Sequence, residues 1–259
     1  MKRLFLSAMI LCMILLTACT AGTSATDPIT LPPTTVMPTE TTVPPTEAPT
    51  QPEHSWLYIP GLDVEDVILY FNEVCLDAEF VESGDASKVQ KWMEPIYYTL
   101  YGSYTDEDLE ALASFTEFLN TIDGFPGISE SENSWQTNLE IHFCTSAELM
   151  DLMGDQYWGT DGAVTFWYTN NEIHTAIICY STETTQYVRN SVILEEIYNG
   201  MGPVQDTSLR TDSIIYAGYS EPQELTEIDK LLLTLLYHPK IECGMDADAC
   251  EAIIRELYY

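Results

Sequence analysis

The side chains best placed to do chemistry together are Glu195, Glu196 and Asn199, inside the stretch Arg189 to Gly202, RNSVILEEIYNGMG. On a helix, residues four apart stand one turn apart on the same face. In the pattern HExxH, two histidines so spaced bind zinc, and the glutamate beside the first activates a metal-bound water. Here the run reads Glu195, Glu196, Ile197, Tyr198, Asn199. The glutamate is kept at Glu196, and neither outer position is histidine, so no zinc is expected. The oxygen-only set of Glu195, Glu196, Asn199 and nearby Asp206 would favour calcium or magnesium, which make a nucleophile from water less readily at neutral pH.

At about 100° per residue, Arg189, Glu195, Glu196 and Asn199 fall on one side of this helix. Ile193, Leu194, Ile197, Tyr198 and Met201 make the other, apolar side. An unpaired buried carboxylate is costly, so one glutamate is expected to pair with Arg189 or Arg210 in a structural network. Arg189 and Glu196 stand two turns apart, about 10 Å in rise, which makes Arg210 of the following loop the better partner.

Other chemistry is less developed. Gly218, Tyr219 and Ser220 match half of a GxSxG elbow, but glutamate and proline follow. His142 and Cys144 share one strand face about 7 Å apart, too far for a direct activating hydrogen bond. His54, His142, His174 and His238 are scattered, and no CxxC occurs. Trp56, Trp135, Tyr157, Trp158 and Trp167 lie in or near expected loops and could stack on a sugar ring; partly buried packing is the commoner role of such residues.

The elements that would position these residues follow from periodicity and capping. Asp63 opens a helix from Val64 to about Leu76, and Ile96 to Tyr101 reads as a strand ended by Gly102. Thr105 with Asp108 starts a helix that Asp123 and Gly124 stop. Leu139 to Cys144 alternates as a strand, and Ser146 is expected to cap a short helix to Met153. Val164 to Tyr168 and Glu172 to Tyr180 flank Asn170 and Asn171, a pair that tolerates a left-handed turn. The long helix follows, then a short extended piece at Ser213 to Tyr216. Thr226 caps a helix from Glu227 to Tyr237, and Asp246 caps a last one from Ala247.

The N-terminal quarter has a different character. Lys2 and Arg3 precede an apolar run, Leu4 to Leu16, too short for a normal membrane span and ending in Leu16, Thr17, Ala18, Cys19. This is expected to be a lipoprotein signal peptide over residues 1–18, with a diacylglycerol on the thiol of Cys19. Residues 19–53 are rich in threonine and proline, as expected of a disordered tether reaching up to about 100 Å. Residues 54–259 suffice for one domain, expected to be monomeric. The expected location is the outer face of a bacterial cytoplasmic membrane, with the membrane as partner through the lipid on Cys19.

Acidic residues number 41 against 9 Lys and Arg, for a formal net charge of −32, and loss of the leader removes two of those cations. Such a balance excludes nucleic acid, anionic lipid and wall polyanions as direct partners. Past Cys19, five cysteines remain, so at least one thiol stays free; Cys243 and Cys250, the closest in sequence, could bridge the entry to the last helix.

Three phrases carry a resemblance: RNSVILEEIYNGMG, TDSIIYAG and LTEIDKLLLTLLYHPKIECGM. Together they resemble a bacterial family known only as domain of unknown function 2927, over roughly Leu62 to Tyr259. That family is similar to zincin metallopeptidases of the metzincin kind. The resemblance implies a zincin-like α+β domain with a small mixed sheet, a central helix and C-terminal helices. It also implies ligand positions at Glu195, Asn199 and Gln205, a base at Glu196, a helix-ending glycine at Gly202, and Ile215 near the place of the methionine beneath the metal. None of the three ligand positions is histidine. The expected function is therefore binding or structural, that of a non-catalytic pseudo-peptidase with an unknown protein or glycan at the cell surface as its partner. A hydrolase with an unconventional metal site around Glu195, Glu196, Asn199 and Asp206, and a glycan-binding module, are the alternatives.

Overall fold

Side-chain caps set the helix starts. In the computed structural model, which describes residues 56–76, 88–203, 205–218 and 220–259, helix α1 is Val64–Leu76. Asp63 accepts from the Asp66 amide at 3.0 Å while Asp66 accepts from the Asp63 amide at 3.1 Å. Reciprocal capping boxes also open α2 (Asp106–Leu119) from Thr105 and α5 (Glu227–Leu236) from Thr226. Another box opens α3 (Ser146–Met153), but its cap is Thr145, with Glu148 as its partner. Ser146, expected to be the cap, is the first helical residue. Helix α4 (Gln186–Gly200) begins a turn before Arg189 because Thr185 caps it, and α6 (Ala247–Tyr258) starts from Asp246. The segments expected to be leader and tether, with Cys19, lie outside the described residues.

The strands are β1 (Lys91–Trp92), β2 (Ile96–Gly102), β3 (Ile128–Glu130), β4 (Leu139–Cys144), β5 (Gly162–Thr169) and β6 (Glu172–Ser181). They form one six-stranded sheet in the order β1-β6-β4-β2-β3, with β5 also on β6. All pairings are parallel except the β5–β6 hairpin, whose turn residues Asn170 and Asn171 both have positive φ, 54° and 66°. Strands β1 and β3 escape sequence reading because two and three residues carry no period. Among the described residues, six α-helices accompany this sheet, giving a mixed α+β fold.

Register divides the sheet into two faces. Leu139, Ile141 and Phe143 of β4 stand beside Ala176, Ile178 and Tyr180 of β6, and all six belong to the main core. The other face carries Cys144, Ala163 and Cys179, which pack with Leu149 of α3 in a smaller cluster. All five described cysteines are free thiols: Cys144 and Cys179 share that cluster, Cys75 and Cys250 are buried in the main core, and Cys243 points at the Lys91 carbonyl. No bridge joins Cys243 to Cys250.

Helix α4 follows β6 directly and packs on the β5–β6 hairpin and on α2. Ile193, Ile197, Tyr198 and Met201 are fully buried, a side-chain burial worth about 1.5–3 kcal/mol for each large aliphatic group. The last turn is anchored from outside: Trp92 Nε1 donates to the Gly200 carbonyl at 2.9 Å, and the Tyr237 hydroxyl to the Met201 carbonyl at 2.8 Å. Gly202 then turns the chain at φ 121°, where a Cβ would run into the Gln90 carbonyl.

Candidate functional site: an acidic cleft on the central helix

One face of α4 serves two environments. At its first turns Arg189, 6 % exposed, donates from Nε to Asp108 Oδ1 at 2.8 Å and from a terminal nitrogen to Oδ2 at 3.2 Å. Asp108, on α2 and fully buried, also accepts from Gln186 at 2.7 Å and from the Thr105 amide at 2.8 Å. Burial raises the Asp108 pKa, but the hydrogen bonds from Arg189, Thr105 and Gln186 outweigh it and hold the group below the usual carboxylate range. Arg189 therefore belongs to Asp108 and to neither glutamate. Arg210, the other expected partner, forms a fork with half-exposed Asp212 at 2.9 and 2.8 Å. Lys91, a buried cation, donates to the Leu236 and Ile241 carbonyls at 2.9 and 2.5 Å.

The same helix borders a cleft of about 400 Å³. Val188, Ser191, Val192, Glu195 and Glu196 form its helical wall, at the spacing i, i+3, i+4, i+7, i+8. Thr160, Asp161 and Gly162, leading into β5, form a second wall; Asp206, Ile214, Tyr216, Ala217, Gly218 and Ser220 complete the rim. Gly162 touches the helix so closely that a Cβ there would lie 2.9 Å from Glu196 Cγ and would overlap Val192. The opposite wall is tied down by Asp229 of α5, which accepts from the Ser213 hydroxyl at 2.6 Å and the Ile214 amide at 3.3 Å. Thr207 bridges to Tyr216, and its amide donates to the Ile215 carbonyl at 2.9 Å. The Ser213 to Tyr216 segment is thus a turn with a single bridge, not a strand.

Among the described residues four carboxylates border the cleft, Asp161, Glu195, Glu196 and Asp206, and no lysine, arginine, histidine or cysteine does. Glu196 is 9 % exposed and has no hydrogen-bond or ion-pair partner among the described residues. Burial, then the charges of Glu195 and Asp206, push its pKa well above the ordinary value. For Glu195, burial and the Asp206 charge raise the pKa to about 7. Glu195 can therefore give or accept a proton near neutral pH.

Glu195, Glu196 and Asp206 come together as one site, and the remaining expected residues do not join them. Asn199 shares their face of α4 but lies a turn further on, outside the lining, with its buried Oδ1 unpartnered. Gln205 is not among the lining residues. Among the described residues, no three or more His, Cys, Asp or Glu side chains are grouped to hold a metal ion. Sequence reading missed Asp161 and Gly162, whose signal is a turn dipeptide opening a strand, and the wall residues Val188, Ser191 and Val192, which share the glutamates' helical stripe.

The remaining candidates lie elsewhere. His142 bonds Glu140 at 3.0 Å, stacks on Tyr101 at 4.6 Å, and with Cys144 borders a separate cavity of about 460 Å³ at the carboxyl ends of β2 and β4. Trp135 and Trp158 are 79 % and 77 % exposed, well short of the packing roles expected for them, and neither lines either cavity. Among the described residues, no helix is long and apolar enough to cross a membrane.

The phrases that join this helix to the Ser213 turn and to α5 point to one family, and a family model bears that out over residues 65–256. The chain belongs to the family described as Protein of unknown function (DUF2927). No match to a curated protein is found.

Proposed function

We propose that this chain is a lipid-anchored protein of the outer face of the bacterial cytoplasmic membrane, whose domain is a zincin-like pseudo-peptidase that binds through the acidic cleft. One observation carries the reading: among the described residues, Glu196, in the glutamate position of HExxH, is buried, has no hydrogen-bond or ion-pair partner and lines a cleft bordered by no imidazole or thiol. Oxygen donors alone fit zinc poorly, so the residues present do not fit peptidase zinc chemistry. The zincin-like reading draws support from the order of elements: a mostly parallel sheet, an antiparallel hairpin, then the motif helix packed on that hairpin. The anchor draws support from the apolar run that ends in Leu16, Thr17, Ala18, Cys19.

Metal analysis of purified protein, with peptidase assays of wild type and Glu196→Gln, tests the reading. The expected result is neither stoichiometric metal nor hydrolysis. Stoichiometric metal together with hydrolysis abolished by Glu196→Gln would replace the pseudo-peptidase with the metal-dependent hydrolase. For the anchor, Cys19→Ala should move the protein from the membrane fraction to the medium or periplasm, and retention of the variant on membranes would count against it.

A further inference from the structure

From the cleft's lining we infer that its occupant is an alkylammonium group, such as the side chain of a lysine in a peptide or the end of a small diamine. The inference rests on the reading of the cleft as a binding site. The observation that points to a ligand is Glu196, nine-tenths buried, without a partner among the described residues, its carboxyl facing the cleft between Gly162 and Val192. A buried carboxylate in that state is stabilised by whatever brings it a cation and a hydrogen-bond donor.

The cavity's size and walls choose the kind of cation. At about 400 Å³ it is far larger than a bare metal ion, and its carboxylates are not grouped as metal ligands. Val188, Val192, Ile214 and Ala217 supply apolar wall beside Glu195, Glu196 and Asp206. Apolar sides with an acidic end match a methylene stem carrying a charged head, the way lysine side chains divide between apolar and polar surroundings. An ammonium group offers three donors, enough to reach three carboxylates. Among the described residues no lysine or arginine borders the cleft: Arg189 is held by Asp108, Arg210 by Asp212, and Lys91 by two carbonyls.

Affinity should also depend on pH. Asp161, Glu195, Asp206 and Tyr216 border the cleft, and Cys179 and Tyr180 of β6 lie close enough to Glu196 to feel its charge. With Glu195 raised to about 7 and Glu196 raised well above its ordinary value, both carboxyls must lose protons to receive an ammonium, so binding tightens as pH rises.

The test is calorimetric titration of the purified chain with four probes: a blocked alanine-lysine-alanine tripeptide, its norleucine counterpart, 1,5-diaminopentane, and calcium chloride. Binding of the tripeptide, the diamine or both, with none by norleucine, sustains the proposal; which of the two binds identifies the source of the ammonium. Glu196→Gln should weaken binding about tenfold to a hundredfold, the loss of one charge-assisted hydrogen bond. A carboxyl ¹³C titration of wild type supplies a readout independent of any variant, because bound amine should pull Glu195 below its free value of about 7. No binding by either amine, equal binding by norleucine, or binding by calcium alone overturns the proposal. Mass spectrometry of the recovered tripeptide separates the two readings: an intact bound peptide sustains both, whereas a bound peptide cleaved in a Glu196-dependent way overturns the pseudo-peptidase and leaves the ligand class standing.

Discussion

Helix α4 carries two ionisable side chains on nearly the same line, two turns apart, and their environments are opposites. At the α2 interface, Arg189 and Asp108 are both buried, fork-paired and completed by Gln186 and the Thr105 amide. In the cleft, Glu196, 9 % exposed, has only like charges near it among the described residues. The first arrangement satisfies every charge and so fixes how α4 meets α2. The second leaves a buried carboxyl either protonated or destabilising, and on that the proposed ammonium site rests.

The sharpest way to break this comparison is to make the paired region resemble the unpaired one. Arg189→Ala strands a fully buried Asp108, and a loss of about 3–5 kcal/mol is expected in urea unfolding. Replacing Asp108 and Arg189 together by apolar residues should restore much of it; a single-variant loss below about 1 kcal/mol would place the pair among surface contacts. The converse change is Glu196→Gln, which removes a charge that has no partner. It should raise stability at pH 8 by about 1 kcal/mol, read as a melting temperature higher by about 2–4 °C.

The pH dependence distinguishes the two regions by sign. Glu195 has a folded pKa near 7, above the ordinary 4.5, so its contribution is fully present below pH 4.5 and is lost as pH rises through 7. Allowing for its half-open position, stability should fall by about 1–3 kcal/mol across that window, and Glu195→Gln should flatten the slope. Asp108 runs the other way: with its folded pKa depressed below 3.8, its contribution is present above that value and is lost as pH falls below it. The smallest effect is expected of Arg210→Ala. Because Arg210 serves Asp212 outside the cleft, stability should change by no more than about 0.5 kcal/mol, and a carboxyl titration should find Glu195 unmoved.

Most of the element order was legible without coordinates. Capping boxes at Thr105 and Thr226, the alternation of Leu139 to Cys144, and the Asn170-Asn171 turn are local signals, read within a few residues of where they act. The failures are of a different kind. Strand β1 is a strand only because Glu172 and Ile173 pair with Lys91 and Trp92. The start of helix α4 is hidden from its sequence because the polar first turn, with Gln186 and Arg189 turned to α2, masks the period that Thr185 opens. The glutamates are legible as a motif, but Arg189 and Arg210, the partners their spacing suggests, pair with Asp108 and Asp212 instead.

The chain's own order of residues decided where helices and strands begin, that α4 would carry Glu195 and Glu196 on one stripe, and the family to which those phrases belong. Each depends on hydrogen bonds and periods spanning one or two turns. What only the tertiary structure decided is which charges meet. Arg189 finds Asp108 across 81 positions of sequence, while Asp161 and Asp206 are brought beside Glu195 and Glu196 from separate loops. The free energy of a buried charge is set by the groups within a few ångströms of it through space, and no spacing along the chain encodes those.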